Sequence, residues 1–537
     1  MTDAPVDLTE ATAALAVADA ALATAVQALK AAGGADTNQV VAYDVSHAAS
    51  ALATAHSMVT YGAKGPVESR LAAAFIADAI ADMAAKFIGR EALFGLTPSW
   101  IDGASAFVTT FRDPAFVASL ASSTGPRHLD ADFELVGDTF HRFAADQIRP
   151  HAEHVHRTNA DVPEDLIAGL AEIGGFGLSV PEEYEGFATG GESDYIGMCV
   201  ATEELTWGSL AIGGAMITRP EIICRSLMFG GTEEQRHYWL PKLSTTEEMA
   251  AIAVTEPDFG SDVAGVVTAA TRTTGGWLIT GTKTWCTFAA RATVLLLLAR
   301  TDPDRSKTHR GLTQFLVPKP ITDSEGFVLT QDAAAEGRSD ANGKLEGRPI
   351  DTIGYRGMHS YELSFDNWFV PDANVIGGEE GVGRGFYSQM AGFENGRIQT
   401  AARAVGLMQA AYEAAHAYAL DRKVFGSPIF DYELTKVKLG RMAAIIQACR
   451  QYSYEVARLM AMGEGTLEAS MAKAYVCRAA EWVTREAMQI HGGMGYAEEY
   501  AVSRYFVDAR VLSIFEGADE TLCIKVIARR LLEGSAA

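Results

Sequence analysis

The residues that could do chemistry in this chain fall in a few short stretches. His151-Ala152-Glu153-His154-Val155-His156 offers imidazoles and a carboxylate, the donor types that hold a metal ion. On a helix, however, positions 151, 154 and 156 point to different faces, so no metal is expected there. The six cysteines, Cys199, Cys224, Cys286, Cys449, Cys477 and Cys523, show no CxxC pair and no framework spacing. They read as small buried thiols in a reducing compartment, without disulfides. Arg219 stands in the otherwise apolar stretch Ala215-Met216-Ile217-Thr218-Arg219-Pro220. A buried guanidinium there is either half of a structural ion pair or the receptor for an anion. Glu516, followed by Gly517, is either a solvated carboxylate at a turn or a general base, a role that needs a desolvated site raising its pKa toward neutrality.

Elements of several kinds must position these groups. At 537 residues and 48% hydrophobic content the chain can bury more than one core, so several domains are expected. Leu8 to Gly95 is alanine-rich with helical spacing, broken near Gly33-Gly34 and between Gly62 and Gly65. Thr97 to Pro126 carries Pro98, Pro114 and Pro126 without a sustained period and reads as the connection to a second helical block. That block runs from Leu129 to Thr246. From Met249 to Val375, short β-branched runs alternate with turn residues, as in Trp277-Leu278-Ile279 after Gly275-Gly276, which predicts strands. Within this region Asp332 to Pro349 is polar and reads as an exposed loop insertion. Helical spacing returns from Val382 to Leu532, with Met390 to Leu420 and Leu434 to Met462 as long helices. The pattern predicts an α+β protein, mainly α, divided at 1–125, 126–248, 249–375 and 376–537. The texture of 44–96 is similar to that of 434–486, so the first block reads as a decayed copy of the later helical hairpin. A formal charge of −24 repels polyanions and argues against a nucleic-acid partner. No apolar run is expected to reach the roughly 18 residues of a membrane span, and Met1 to Glu10 is acidic, so a cytoplasmic protein without a membrane partner is expected.

Three separated segments have to be explained together: Ala253-Val254-Thr255-Glu256-Pro257-Asp258-Phe259-Gly260-Ser261-Asp262, Gln489-Ile490-His491-Gly492-Gly493-Met494-Gly495-Tyr496, and Asp508-Ala509-Arg510 leading to Ile514-Phe515-Glu516-Gly517. Gly177-Leu178-Ser179-Val180-Pro181-Glu182-Glu183-Tyr184, Gly231-Thr232-Glu233-Glu234-Gln235-Arg236 and Asp421-Arg422-Lys423-Val424-Phe425-Gly426 complete the set. In this order they resemble the acyl-CoA dehydrogenase family, over residues 130 to 537. The resemblance implies a helical domain, a central β barrel and a C-terminal four-helix bundle, preceded here by an extra N-terminal helical extension. It implies FAD held partly across a subunit interface, hence a homo-oligomer, dimer or tetramer, with electron-transferring flavoprotein as electron acceptor. Glu516 would take the α-proton of an acyl-CoA thioester while hydride leaves the β-carbon for the flavin. The family's alternative base position, ahead of Arg397, is Gly396 here.

By the same resemblance, Val254, Thr255 and Ser261 contact the flavin, and Ser261 also contacts substrate. Trp285, set between Lys283 and Thr287, would lie against the flavin rather than in the core, with the Thr287 hydroxyl near the nitrogen that accepts hydride. Arg422 and Phe425 would reach the neighbouring subunit's FAD. Gln489, Gly492 and Gly493 would line the same dinucleotide, the glycines letting the backbone approach. Phe393, Arg397 and Gly517 would meet the acyl-CoA, and His491 reads as a packing residue. Phe259, Phe288, Glu433, Ala518 and Glu520 depart from the family's usual residues.

Within the family, the extension, the insertion and Ile353-Gly354-Tyr355-Arg356-Gly357-Met358-His359-Ser360 resemble members that oxidise (2S)-methylsuccinyl-CoA to mesaconyl-CoA (2-methylfumaryl-CoA) in the ethylmalonyl-CoA pathway. A free distal carboxylate needs a cation or donors at the base of the pocket, because burying an unpaired charge is costly. Arg219 is the candidate, with His359 and Arg356 as second choices. The alternatives are another short- or branched-chain acyl-CoA dehydrogenase, an acyl-CoA oxidase, a DNA-associated flavoprotein of the same fold and a flavin-free paralogue. The acidic balance argues against DNA, and the retention of Glu516, Trp285 and Arg422 argues against a flavin-free chain.

Overall fold

Alanine-rich segments with apolar residues three and four apart become long helices in the computed structural model, which describes residues 4–534. The first are α1 (Leu8–Ala31), α2 (Gln39–Gly62) and α3 (Pro66–Phe87). Asp7 caps α1 by accepting from the Thr9 N–H, and Pro66 opens α3 at a position whose N–H has no helical partner. Small residues let α2 and α3 approach closely: a Cβ on Gly62 would stand 2.9 Å from the Cβ of Ala72. The prolines at 98 and 114 start short helices, Pro98–Ala104 and Pro114–Ala118, instead of only interrupting structure, because proline suits a first helical turn. These elements belong to one of two units, Met1–Val136 with Arg397–Ala537. Inside that unit α2 packs on the hairpin formed by Glu433–Ala461 and Thr466–Ile490.

The expectation of no membrane-length apolar run is corrected here. α1 has a mean hydropathy of 1.5 over 18 residues, enough by length and composition to cross a membrane. Alanine scores as apolar while burying little surface, so the run carries few of the bulky side chains that mark a span. Its apolar residues Ala11, Ala14, Leu15, Ala18, Ala21 and Ala25 recur at helical spacing and are buried in the unit.

The second unit, Gly137–Gly396, carries helices and one curled eight-stranded sheet. Its strands are β1 (Ala250–Ala253), β2 (Ala269–Thr273), β3 (Gly276–Lys283), β4 (Val294–Arg300), β5 (Leu312–Pro318), β6 (Phe327–Gln331), β7 (Gly343–Ile350) and β8 (Ser360–Pro371). The order is β1-β4-β2-β3-β8-β7-β6, with β5 also on β4. β4 reads Val-Leu-Leu-Leu-Leu-Ala-Arg and is buried throughout, as a strand covered on both faces should be. Leu295 and Leu297 pack with Phe315, Tyr361 and Phe365, while Val294 and Leu296 pack with the helical residues Ile223, Leu227 and Leu240. The loop expected over 332–349 is corrected in its second half: residues 343–350 form β7, paired on both sides. Gly343, Leu345 and Gly347 point inward between polar neighbours, a period of two that a composition reading takes for a polar loop.

Candidate active site

In the first unit the helix Ala501–Leu512 ends at Ser513, and the chain turns through Ile514-Phe515-Glu516-Gly517 before helix restarts at Asp519. Glu516 and Gly517 are both left-handed, at φ +53° and +99°. Glycine takes this form freely, but for a glutamate it costs about 1–2 kcal/mol. Neighbours hold the turn. The Asp519 N–H donates to the Ser513 carbonyl at 3.1 Å, and buried Lys473 donates to the Gly517 carbonyl at 2.6 Å. Burial pushes the Lys473 ammonium's pKa down.

The Glu516 carboxylate meets two side chains of the helix Gly385–Asp421. Arg403 Nη2 lies 2.8 Å from both carboxylate oxygens, and Thr400 Oγ1 donates to Oε2 at 2.5 Å. Arg403 is 0% exposed, and a guanidinium that deep needs an anionic partner, which Glu516 supplies. On the same helix Arg397 donates to Ser470 Oγ at 3.2 Å.

Gln489 is exposed at the end of the helix Thr466–Ile490, and Gly492 and Gly493 follow it. A Cβ on either glycine would meet nothing within 4 Å, and Gly492 is left-handed at φ +59°. His491 is buried, bonds the Ala487 carbonyl at 2.8 Å and stacks on Tyr418 with 4.2 Å between ring centroids. Arg422 is exposed, and Phe425 is 96% exposed in the single chain with φ +52°, an unusual state for a large apolar residue.

In the second unit the turn after β1 is built over a buried ion pair. Glu256 and Phe259 exchange backbone hydrogen bonds of 3.1 Å, closing a turn that leads to exposed Ser261. Beneath it Lys283 Nζ lies 2.8 Å from Glu256 Oε1 and 2.9 Å from the Val254 carbonyl, and Glu256 accepts from the Val267 and Thr268 N–H groups. Burial alone would raise the Glu256 pKa, but the Lys283 charge and these donors outweigh it and hold the carboxyl below its usual range. Burial lowers that of Lys283. Phe259 turns inward against Val254, Val266, Leu298 and Leu312.

β3 ends at Lys283, and the Thr284 N–H then donates to the Thr255 carbonyl at 2.8 Å, tying the two segments together. Trp285 comes next at φ +59° and is 56% exposed, so it is not core. The Thr287 hydroxyl lies 2.9 Å from Ser360 Oγ at the start of β8. Phe288, at φ +71°, is buried and donates its N–H to the Met358 and His359 carbonyls. Bulky residues in left-handed backbone mark strain that the surroundings must enforce. Phe393 lies half-buried against the cluster containing Ile222 and Leu227.

Arg219, on the helix Thr218–Gly230, is 8% exposed. Nη1 donates to the Ala215 carbonyl at 2.7 Å, and Nη2 to the Tyr355 hydroxyl at 3.3 Å; Met358 Sδ lies 4.0 Å away. Among the described residues no carboxylate reaches it, so it is not half of a structural ion pair. The second choices are engaged: His359 Nε2 lies 2.9 Å from Asp161, and Arg356 donates to the Thr352 and His156 carbonyls.

Arg403, Thr400, Lys473 and Lys283 were not singled out from the sequence. Arg403 had a signal, a lone charge in Thr400-Ala401-Ala402-Arg403-Ala404-Val405, the same pattern that marks Arg219. The Lys283–Glu256 pair had none, because strand pairing brings the two together. Among the described residues the His, Cys and acidic side chains close enough to share an ion are His47, Asp519 and Cys523, not the histidines at 151, 154 and 156.

Family models match three consecutive stretches: acyl-CoA dehydrogenase N-terminal domain over 130–247, middle domain over 251–368 and C-terminal domain over 383–532. The chain is 41% identical over 411 residues to (2S)-methylsuccinyl-CoA dehydrogenase of Cereibacter sphaeroides, covering 76% of this chain and 71% of that protein. It is 34% identical to mitochondrial isovaleryl-CoA dehydrogenase of Solanum tuberosum, covering 71% and 85%. Among solved structures it is similar to a glutaryl-CoA dehydrogenase in complex with glutaryl-CoA, with a TM-score of 0.67 at 28% identity, covering 76% and 96%. It is also similar to butyryl-CoA dehydrogenase from Megasphaera elsdenii, with a TM-score of 0.66 at 27% identity, covering 75% and 99%.

Proposed function

The chain belongs to the acyl-CoA dehydrogenase family, and we propose that its substrate is a short, branched dicarboxylic acyl-CoA, (2S)-methylsuccinyl-CoA, oxidised to mesaconyl-CoA (2-methylfumaryl-CoA). Arg219 is the observation that carries the dicarboxylic reading. Among the described residues this buried guanidinium has a carbonyl, a phenol and a thioether as partners and no anion, and a distal carboxylate supplies one.

Family members are FAD-dependent, and the residues of this chain suit that cofactor. The open backbone at Gly492 and Gly493 admits a dinucleotide without side-chain interference. The exposed indole of Trp285 on strained backbone offers a flat apolar face. Val254, Thr255, Ser261 and Thr287 would hold the flavin, with Arg422, Phe425 and Gln489 on the dinucleotide. A neighbouring subunit's FAD would cover the 96% exposed Phe425, in keeping with a homo-oligomer. When bound, FAD supplies the hydride acceptor.

Glu516 takes the α-proton. Its Oε2 already accepts from Thr400 and Arg403, whereas Oε1 accepts from Arg403 among the described residues and keeps a lone pair for the proton. Arg219 holds the distal carboxylate, so the β-carbon next to it is presented in one orientation. Arg397, Phe393, Ser261 and Gly517 line the acyl-CoA. Electron-transferring flavoprotein takes the electrons, and the cytoplasmic ethylmalonyl-CoA pathway is the setting this chemistry calls for.

The test is anaerobic mixing of the purified flavoprotein with methylsuccinyl-CoA, butyryl-CoA or isobutyryl-CoA while visible flavin absorbance is followed. Fast bleaching by methylsuccinyl-CoA alone, lost in Glu516→Gln, is expected. Fast bleaching by butyryl-CoA with none by methylsuccinyl-CoA overturns the substrate, and unchanged bleaching in Glu516→Gln overturns the base.

A further inference from the structure

The turn that carries Glu516 is anchored from the N-terminal extension. On α2, Tyr43 and His47 stand one helical turn apart, and both side chains end on the same oxygen. Tyr43 Oη donates to Asp519 Oδ2 at 2.5 Å, and His47 Nε2 lies 3.0 Å from it. Between them Ser46 donates to the Cys523 carbonyl at 2.8 Å. Asp519 is the residue at which helix restarts after the turn, and its own N–H closes the turn on the Ser513 carbonyl at 3.1 Å.

A buried carboxylate must find donors. From its own segment the Cys523 thiol approaches Asp519 at 4.0 Å, whereas the close partners, Tyr43 and His47, come from α2. Burial pushes the His47 pKa down, and its Nε2 faces the Asp519 carboxylate. Burial would raise the Asp519 pKa, yet the hydrogen bonds from His47 and Tyr43 keep the carboxyl below its usual range. His47, Asp519 and Cys523 offer the donor types of a metal site. The Asp519 oxygen is nevertheless already engaged by His47 and Tyr43, and the three form a satisfied network.

The left-handed Glu516 persists only if its surroundings over-determine it. Lys473 on the Gly517 carbonyl is one clamp, and Asp519 tied to α2 is the other. We propose that Tyr43 and His47 are positioning residues for the reaction: by anchoring Asp519 they hold the Glu516-Gly517 turn in the one backbone form that aims the base. The inference rests on Glu516 being the base and gives the extension a part in catalysis.

The test reads the base apart from hydride transfer. Holoenzyme whose flavin has been reduced with dithionite is incubated with methylsuccinyl-CoA in D2O, and exchange of the α-hydrogen is followed by NMR, beside steady-state kcat and KM. Tyr43→Phe and His47→Ala should slow exchange and kcat by about 10- to 100-fold, the size of effect that a misplacement of about 1 Å produces, with KM within about two-fold. His47→Gln keeps an N–H donor and should restore most of the rate. Wild-type exchange in both Tyr43→Phe and His47→Ala, or a loss shared equally by His47→Gln, overturns the proposal. If His47→Ala does not fold, Tyr43→Phe, which removes a single oxygen, decides alone. Glu516→Gln in the same assay separates the two readings: persisting exchange there sinks the base itself, whereas its loss beside wild-type exchange in the α2 variants sinks only the positioning role.

Discussion

Replacing Arg219 with methionine separates recognition of the distal carboxylate from the chemistry. Of the five N–H donors of a guanidinium, three face the Ala215 carbonyl, the Tyr355 hydroxyl and the Met358 sulfur, which leaves two for a ligand. Two charge-assisted hydrogen bonds to a carboxylate at about 1.5–2 kcal/mol each give about 3–4 kcal/mol. At about 1.4 kcal/mol per tenfold, kcat/KM for methylsuccinyl-CoA should fall by two to three orders of magnitude. Butyryl-CoA lacks the carboxylate and should change by no more than about threefold, the effect of a repacked wall. The assay is the rate of anaerobic flavin bleaching against substrate concentration, with each acyl-CoA in turn. Methionine matches much of the arginine stem, so packing against Met358 survives. An equal loss with both substrates would refute the reasoning, because it would show that Arg219 supports the fold and does not read the acyl group.

Three other perturbations have defined outcomes. Arg403→Met removes the cation from a buried pair and leaves Glu516 facing an apolar group, a change worth about 3–5 kcal/mol; at about 2.1 cal/mol/K per residue over this chain the thermal midpoint should drop by about 3–4 °C, and a drop under about 1 °C would contradict the buried pair. Gly493→Val fills open space without straining a left-handed backbone; the ratio of flavin to protein absorbance after purification should fall while the melting of the flavin-stripped protein barely moves, and full flavin retention would count against a dinucleotide there. Glu256 has a folded pKa below its unfolded one, so its stabilisation is complete above the unfolded carboxyl value of about 4.3 and is lost as pH falls through the folded value. Melting curves of wild type and Glu256→Gln should therefore differ at pH 7 and converge in acid, and a gap that stays constant from pH 7 to 3 would remove the ion pair as its cause.

The fold was legible where periodicity was long. Helices expected over Met390 to Leu420 and Leu434 to Met462 extend over Gly385–Asp421 and Glu433–Ala461, because an alanine-rich stripe has one stable way to bury itself. β7 was not legible: its inward residues are Gly343, Leu345 and Gly347, so a single leucine carries the apolar signal and sheet pairing on both sides supplies the rest. The site divides in the same way. Glu516, Trp285 and the glycines at 492 and 493 lie in contiguous motifs and can be read locally. Thr400, Arg403 and Lys473 act on Glu516 and Gly517 from distant parts of the chain. Tyr43 and His47 reach Asp519 across more than 470 positions. Such pairs leave no local pattern, since the chemistry of each depends on which neighbour folding delivers.

Arg219 and Arg403 show how far surroundings decide the work of one residue type. Each is the lone charge of its immediate stretch, Ala215 to Pro220 or Thr400 to Val405, and from sequence they are interchangeable. Arg403 already faces a carboxylate, so a second anion drawn to it would bring two negative groups onto one cation and repel the base. Arg219 faces only neutral partners, and its buried charge gains most from an anion that arrives with the substrate. An incoming anion is therefore favoured at Arg219 and disfavoured at Arg403, whose charge is already matched by Glu516.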